Sequence, residues 1–206
     1  MRPGFLLIIS APSGTGKSTV CRELRGRDAS LRYSVSCTTR PPRPGEDDGS
    51  HYHFVSPSDF KELRRKDALL EWAVVHGAHY GTPRRFVEER IRAGEVVLAD
   101  IDVQGAAQLR RKLRGGAVSV FLLPPSWKLL EARLRRRRDT DEATIRRRLR
   151  NARSEMRRAG EYEYWVVNDR LPEAVSRIES IITAESLKAS RQPPLRTLSQ
   201  QGPRER

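Results

Sequence analysis

The chain has 206 residues, of which 37% are hydrophobic and 32% are charged. This length is typical of one ordinary domain, and the periodic placement of the apolar residues excludes wholesale disorder. The longest apolar run, residues 5–9, is too short to cross a bilayer and is not part of a secretory signal pattern. We therefore expect a cytoplasmic protein with no membrane partner, in which Cys21 and Cys37 are free thiols.

Positive charge dominates the composition and is concentrated in one segment. The 40 basic residues outnumber the 26 acidic residues by 14, and residues 133–158 carry twelve arginines against four acidic residues. A nucleic-acid partner is not expected, because no binding motif for one is visible and aromatic residues make up only 6%. The segment is either a solvated helix face or a surface whose guanidinium groups hold phosphate oxygens in pairs.

Short apolar runs alternate with helical stretches along most of the chain. The runs that predict strands are residues 5–10, 33–36, 96–99, 118–122 and 165–167. The first run is continuous, which is typical of a strand buried on both faces of a sheet. The alternation predicts an α/β fold in which a central parallel sheet is flanked by helices.

Polar residues beside prolines and near the arginines predict where helices begin. Ser56 and Thr82 each precede a proline, and each is expected to be an N-cap with that proline at the first helical position. Thr140 or Asp141 is expected to cap the arginine-rich helix, which runs to about Arg158.

One stretch interrupts the alternation of strands and helices. Residues 37–81 begin with prolines and glycines that exclude a regular helix, so we take them as a small inserted lobe. The core then comprises residues 1–36 and 82–188, and the whole of residues 1–188 forms a single domain. Residues 189–206 have little apolar content and are expected to form a flexible basic tail.

A glycine-rich segment, APSGTGKS at residues 11–18, lies between the first predicted strand and the first predicted helix. Gly14 and Gly16 let the backbone curl so that its N–H groups point at phosphate oxygens, and the helix N-terminus adds positive charge. The segment therefore predicts a phosphate-binding P-loop, although Ala11 stands where the pattern usually has glycine. The expected nucleotide-binding residues are Ala11, Pro12, Ser13, Gly14, Thr15, Gly16, Lys17, Ser18 and Thr19.

Three polar side chains near this loop are candidates for binding the phosphates or a metal ion. Lys17 is placed to reach the β- and γ-phosphates of a bound nucleotide, and the Ser18 hydroxyl is a candidate ligand of Mg²⁺. Asp100 ends an apolar run, where a carboxylate that holds the water shell of Mg²⁺ is expected. The sequence thus predicts a bound nucleotide together with Mg²⁺.

Six ordered motifs follow the P-loop. They are residues 34–40 (SVSCTTR), 42–46 (PRPGE), 51–54 (HYHF), 70–73 (LEWA), 80–83 (YGTP) and 100–105 (DIDVQG). Together they resemble the guanylate kinase family, and the resemblance extends from about residue 5 to residue 188. It implies a P-loop kinase with an inserted GMP-binding lobe and an arginine-rich lid, which transfers the γ-phosphoryl group of ATP to GMP or dGMP. Its expected partners are these small molecules, with no obligate protein partner.

The resemblance also implies roles for residues of the GMP site. By the match, Arg40, Arg43, Tyr52 and Tyr80 hold the phosphate of GMP, whose charge must be neutralised before another phosphate approaches. Glu71 accepts hydrogen bonds from the N1–H and amino groups of guanine. Asp102, Ser36 and Thr82 complete the guanine pocket.

The arginine-rich segment gains a role from the same resemblance. A lid at about residues 133–150 is implied to close over ATP and to bring Arg137 and Arg148 to the transferring phosphoryl group, where they act with Lys17. Arg136 and Arg138 stand where the family usually has glycine, so which arginine of residues 135–138 points inward stays open. Asn168 matches the place where the family contacts adenine.

Two other functions fit parts of the pattern. A related P-loop kinase that phosphorylates a ribose bisphosphate would keep the P-loop and the lid, but Glu71, Asp102, Tyr52 and Tyr80 favour GMP. A non-catalytic guanylate-kinase-like binding module would lose a working P-loop, whereas Lys17 is present here.

Overall fold

A computed structural model describes residues 4–75, 77–113, 115–136 and 141–192. Its central sheet has five parallel strands in the order β2-β7-β1-β8-β9. These strands are β1 (Phe5–Ser10), β2 (Arg32–Tyr33), β7 (Val96–Asp100), β8 (Ala117–Leu123) and β9 (Tyr164–Val167). The α/β fold with a central parallel sheet is confirmed.

Helices cover both faces of the central sheet. They are α1 (Lys17–Arg27) and α7 (Leu171–Leu187) on one face and α3 (Arg84–Arg92) and α4 (Val103–Lys112) on the other. Every residue of β1 is buried, because its alternate side chains pack into two separate cores. The continuous apolar run of β1 is therefore explained by burial on both faces.

A second sheet of four strands lies within residues 37–83, in the order β4-β3-β6-β5. Its elements are β3 (Cys37–Thr38), β4 (His53–Phe54), α2 (Pro57–Arg65), β5 (Leu69–Val75) and β6 (Ala78–Pro83). β5 and β6 pair antiparallel, and α2 packs Phe60 against Leu69 and Cys37. As expected from the sequence, the Ser56 hydroxyl caps α2 by accepting the N–H of Asp59.

The arginine-rich segment begins in the last turn of α5 (Trp127–Arg135) and includes all of α6 (Glu142–Met156). Leu130 and Leu134 of α5 pack on Ala152 of α6 in a small core of their own. Asp141 caps α6 by accepting the N–H of Thr144 at 2.8 Å, whereas Thr140 lies outside the described residues.

Two local expectations were wrong. Thr82 is not an N-cap: it lies in β6, and the helix after Pro83 begins at Arg84. The run at 33–36 is not a strand beyond its first residue, because β2 ends at Tyr33 and the chain then crosses to the second sheet, where β3 begins at Cys37. The arginine-rich helix agrees with its expected end at about Arg158 to within two residues, since it ends at Met156 and a 3-10 turn follows at Ala159–Glu161.

The chain after α7 folds back onto the core, although the sequence predicts a flexible tail from residue 189. Ala189–Arg191 forms a 3-10 turn, and the guanidinium of Arg191 lies 4.7 Å from the ring centroid of Phe5. Arg191 also faces the fully buried carboxylate of Glu185, which accepts from the Tyr164 hydroxyl and from Lys188 at 2.6 Å. Residues 193–206 lie outside the described part of the chain. None of the helices described is long and apolar enough to cross a membrane.

Replacing Glu185 with alanine is expected to lower the free energy of unfolding by about 3 kcal/mol, because the buried guanidinium of Arg191 loses its counter-charge. Urea denaturation measures this change. Glu173→Ala is the matched control, since Glu173 also lies on α7 and pairs with arginines but is half exposed. Its loss is expected to be about 0.5 kcal/mol. Equal losses of unfolding free energy for the two variants would contradict a stabilising role of the ion pair between Glu185 and Arg191.

Candidate active site

The P-loop spans the gap between β1 and α1. Gly14 and Gly16 have φ angles of +91° and +94°, which favour glycine. A side chain at Gly16 would also meet the Asn168 amide, and one at Gly14 would meet Leu134. The loop and the first turn of α1 line a concave surface formed by Ala11, Pro12, Ser13, Gly14, Gly16, Lys17, Ser18 and Thr19. The structure thus brings together all of the predicted loop residues except Thr15, which is buried.

Two residues from later in the chain support the P-loop from behind. The Asn168 side chain donates to the Thr15 carbonyl at 2.7 Å, and Asn168 is buried. Arg133 donates to the same carbonyl and to the carbonyl of Asn168, each at 3.4 Å. Asn168 therefore turns its amide nitrogen to the loop in this structure. Sequence reasoning missed Arg133, whose partners are distant in the sequence.

Lys17 is fixed at the start of α1. Its ammonium pairs with the carboxylate of Asp100 and donates to the Ile101 carbonyl at 3.0 Å. Burial lowers the pKa of Lys17, but the charge of Asp100 and its hydrogen bond to the ammonium, with smaller contributions from other groups, together hold that pKa above its ordinary value. Lys17 therefore stays charged at neutral pH.

A cavity of about 240 Å³ joins the P-loop to the second sheet. It is lined by Lys17, Ser18, Ser36, Arg40, Arg43, Tyr52, Glu71, Val75, Tyr80, Asp100, Ile101 and Asp102. The structure thus gathers every predicted GMP-site residue around one cavity except Thr82, which is buried behind Glu71. The sequence resemblance did not single out Val75 or Ile101.

The end of the cavity near Arg40 is basic and aromatic. The Arg40 guanidinium lies 4.9 Å from the ring centroid of Tyr52, and the Tyr52 and Tyr80 rings meet edge to face. Glu46 binds Arg40 through both of its oxygens at 2.6 and 2.7 Å and also accepts the N–H of Arg43 at 2.8 Å. These hydrogen bonds from Arg40 and Arg43 lower the pKa of Glu46 to about 2. Glu46, which the sequence motif contains without an assigned role, holds the guanidinium of Arg40 and the backbone of Arg43 in place.

The cavity lining also contains a buried carboxylate. Glu71 is 3% exposed, and its Oε1 accepts a hydrogen bond from the Thr82 hydroxyl at 2.7 Å. Thr82 lies directly opposite Glu71 in the pairing of β5 with β6, which explains why its hydroxyl is not used as a helix cap. Burial, with a smaller contribution from the charge of Asp102, raises the pKa of Glu71 to about 7.

Comparison with known proteins decides the family. The guanylate kinase family model matches residues 4–185. The chain belongs to the guanylate kinase family. The guanylate kinases of Mesorhizobium japonicum and Rhizobium meliloti are each 50% identical to it over 194 residues, covering 94% of this chain and 89% of theirs. The crystal structure of guanylate kinase from Anaplasma phagocytophilum superimposes with a TM-score of 0.82 at 34% identity, covering 98% of this chain and 96% of that one.

The lid residues expected from the guanylate kinase family are placed only in part. Arg148 is half-buried on α6, whereas Arg137 lies outside the described residues. Arg135 is exposed and pairs with Glu142 at 2.6 Å. α6 also reaches the P-loop through Glu155, whose carboxylate accepts the N–H of Ser13 at 3.3 Å. Sequence reasoning gave no signal for this contact.

The oxygen donors near Lys17 suit a magnesium ion that is held mainly by nucleotide phosphates. Ser18 and Asp100 line the same cavity, and hydroxyl and carboxylate oxygens are the hard ligands that Mg²⁺ prefers. No cluster of three or more acidic, histidine or cysteine side chains is found within the described ranges. The available donors therefore fit Mg²⁺ bound together with a nucleotide.

Proposed function

We propose that the protein transfers the γ-phosphoryl group of ATP to GMP and releases ADP and GDP, as its membership of the guanylate kinase family supports. The observation that carries this proposal is the cavity in which the P-loop lysine, a pair of arginines and a buried carboxylate face one another. Kinase chemistry needs two anionic substrates held in line, and the lining of this cavity offers both cations for phosphates and a buried hydrogen-bond acceptor for a base.

The phosphate of GMP is bound at the basic end. Arg40 and Arg43 neutralise its two negative charges, and the hydroxyls of Tyr52 and Tyr80 donate to its oxygens. Glu46 holds Arg40 in one geometry before GMP arrives, which lowers the entropy lost on binding.

Guanine binds beside Glu71. The Glu71 carboxylate accepts from the N1–H and amino groups of the base, while Thr82 holds the carboxylate from behind. Adenine presents an acceptor in place of N1–H, so it would leave the carboxylate facing a lone pair. Ser36 and Asp102 complete this pocket.

Phosphoryl transfer depends on positioning and on charge. Lys17 contacts the β- and γ-phosphates, and Arg148 and Arg137 approach the equatorial oxygens when the segment at 133–150 closes as a lid over ATP. Closure also excludes water, which would otherwise hydrolyse ATP. Ser18 and Asp100 would hold Mg²⁺, which would supply further neutralisation of phosphate charge. Asn168 supports the ATP site through Thr15.

The residues at 37–81 act as the GMP-binding lobe on a core formed by residues 1–36 and 82–188. Cys21 and Cys37 are both free and buried, which is typical of a reducing compartment and supports a cytoplasmic enzyme.

An ADP-release assay with Mg-ATP tests the function. GMP, dGMP, AMP, CMP, UMP and ribose phosphates are supplied one at a time as acceptors. Turnover confined to GMP and dGMP is expected. Turnover with a ribose phosphate and none with GMP would overturn the proposal.

The pH dependence of GMP use is expected to follow Glu71. Because its pKa is raised to about 7, the carboxylate becomes protonated below that pH and loses an acceptor for guanine. The kcat/KM for GMP is expected to fall about tenfold per pH unit below pH 7 and to be level above it, since this ratio reports groups of the free enzyme.

The phosphate of GMP itself titrates near pH 6, so a matched profile is needed. In Glu71→Gln the phosphate of GMP still titrates, but position 71 carries no carboxylate that titrates. Identical profile shapes for the two proteins would contradict the assignment of Glu71.

A further inference from the structure

The first turn of α4 lies directly against the carboxylate of Glu71. A Cβ atom added to Gly105 would stand 2.4 Å from Oε2 and 2.8 Å from Cδ of Glu71. Both distances are far below van der Waals contact. A side chain at position 105 therefore fits only if the Glu71 carboxylate moves.

Hydrogen bonds hold α4 against β5, so the helix is not free to move away from an added side chain. Gln108 donates to the Trp72 carbonyl at 2.7 Å, and Lys112 donates to the Leu70 carbonyl at 2.6 Å. Gly105, Gln108 and Lys112 are spaced three and four residues apart, so they lie on one face of the helix. The two hydrogen bonds on this face fasten α4 to the strand that carries Glu71.

The start of α4 is held as well. Asp102 caps the helix by accepting the N–H of Gly105 at 2.9 Å. Glu71 is enclosed from the other side by the Thr82 hydroxyl at 2.7 Å. The carboxylate end of Glu71 is the flexible part of this arrangement, so an added methyl group would displace it and leave the backbone in place.

We propose that Gly105 is a positioning residue that determines guanine specificity, because its missing side chain leaves the space in which Glu71 holds its carboxylate for the base. This inference rests on the proposed function. Gly105 has no polar side chain of its own, and it acts only through Glu71.

Gly105→Ala tests the inference. A displacement of a reacting or binding group by about 1 Å can lower activity about 100-fold, so the KM for GMP is expected to rise by about that factor. The KM for ATP is expected to stay within about twofold, because the P-loop is untouched. Direct titration of the protein with GMP checks that the KM change is a loss of binding.

Gly26→Ala is the matched control. Gly26 also lies inside a helix, α1, and a Cβ atom there would meet nothing within 4 Å. Both variants gain the helix propensity of alanine. Gly26→Ala is therefore expected to keep its urea midpoint, whereas in Gly105→Ala this gain offsets part of the cost of moving the buried carboxylate, so the chain is expected to stay folded. Gly26→Ala is expected to keep both KM values.

A shorter acidic side chain at position 71 distinguishes displacement of the carboxylate from a general disruption of the site. Glu71→Asp removes one methylene group and thereby relieves the contact with a methyl group at position 105. The double variant of Glu71→Asp and Gly105→Ala is expected to lose less GMP affinity than the sum of the single losses in free energy.

The outcomes distinguish this inference from the proposed function. An unmodified chain that does not phosphorylate GMP overturns the proposed function. GMP turnover with an unchanged KM for GMP in Gly105→Ala overturns only the inference, as does a parallel rise in the KM values for GMP and ATP. Additive losses in the double variant also overturn it.

Discussion

Lys17→Ala is expected to lower kcat by about 10³-fold while the protein stays folded. The ammonium of Lys17 lies at the junction of the P-loop with the cavity and is charged at neutral pH. Charge on the transferring phosphoryl group is greatest in the transition state, and removal of one preorganised donor from such a site lowers kcat by about 10²- to 10³-fold. The variant also leaves the Asp100 carboxylate without the positive charge that it pairs with, which adds to the loss of activity. Steady-state kinetics with GMP and Mg-ATP measure the change.

Lys66→Ala is the control for the loss of one positive charge. Lys66 is exposed at the end of α2, and its pair with Glu62 is also exposed. Such pairs contribute about 0.5 kcal/mol or less, so both stability and turnover are expected to be retained. Near-normal kcat in Lys17→Ala would contradict the proposed role of the P-loop. A large drop in its urea midpoint would instead assign the lost turnover to unfolding.

Glu71→Gln is expected to lower kcat/KM for GMP by about 10³-fold, because two hydrogen bonds from guanine to a charged acceptor are each worth about 1.5–3 kcal/mol. The amide also presents a donor where the base itself donates. The KM for ATP is expected to change by less than about twofold. Kinetics with each substrate varied in turn measure the difference. Equal losses for the two nucleotides would contradict the assignment of Glu71 to guanine.

Stability provides an independent check on the same variant. The pKa of Glu71 is raised to about 7 in the folded protein, so the protonated form favours folding and its stabilisation is lost as pH rises through 7. The shift corresponds to about 3 kcal/mol between pH 4 and pH 8. Glutamine does not titrate. Glu71→Gln is therefore expected to become more stable relative to the unmodified protein as pH rises over this range, as urea denaturation would show.

The central sheet and the P-loop were predictable because their signals are local. A continuous apolar run buried on both faces marks β1, and the spacing of Gly14, Gly16 and Lys17 marks the loop that follows it. These features depend on residues within one short segment. The predicted cavity residues came from family resemblance, and the topology explains why they meet: β5 and β6 carry Glu71 and Tyr80, and the segments beside β3 and β4 carry Ser36, Arg40 and Tyr52.

The contacts that sequence reasoning missed join residues that are far apart in the chain. Asn168 reaches Thr15, and Glu155 reaches Ser13, across separations of 153 and 142 residues. Thr82 was misassigned because a threonine before a proline has the same local pattern in a helix cap and at a strand end. Only its register opposite Glu71 distinguishes the two.

The strand order of the central sheet has a consequence for synthesis on the ribosome. β1 occupies the middle of the sheet and is made first, but its neighbours β7 and β8 are made only with residues 96–100 and 117–123. Until then, both edges of this apolar strand stay open for pairing with another chain. Asn168, which supports the P-loop, is made later still. The nascent enzyme thus acquires its supported nucleotide-binding loop only after Asn168 has been made, and the edges of β1 stay unpaired until β7 and β8 follow it.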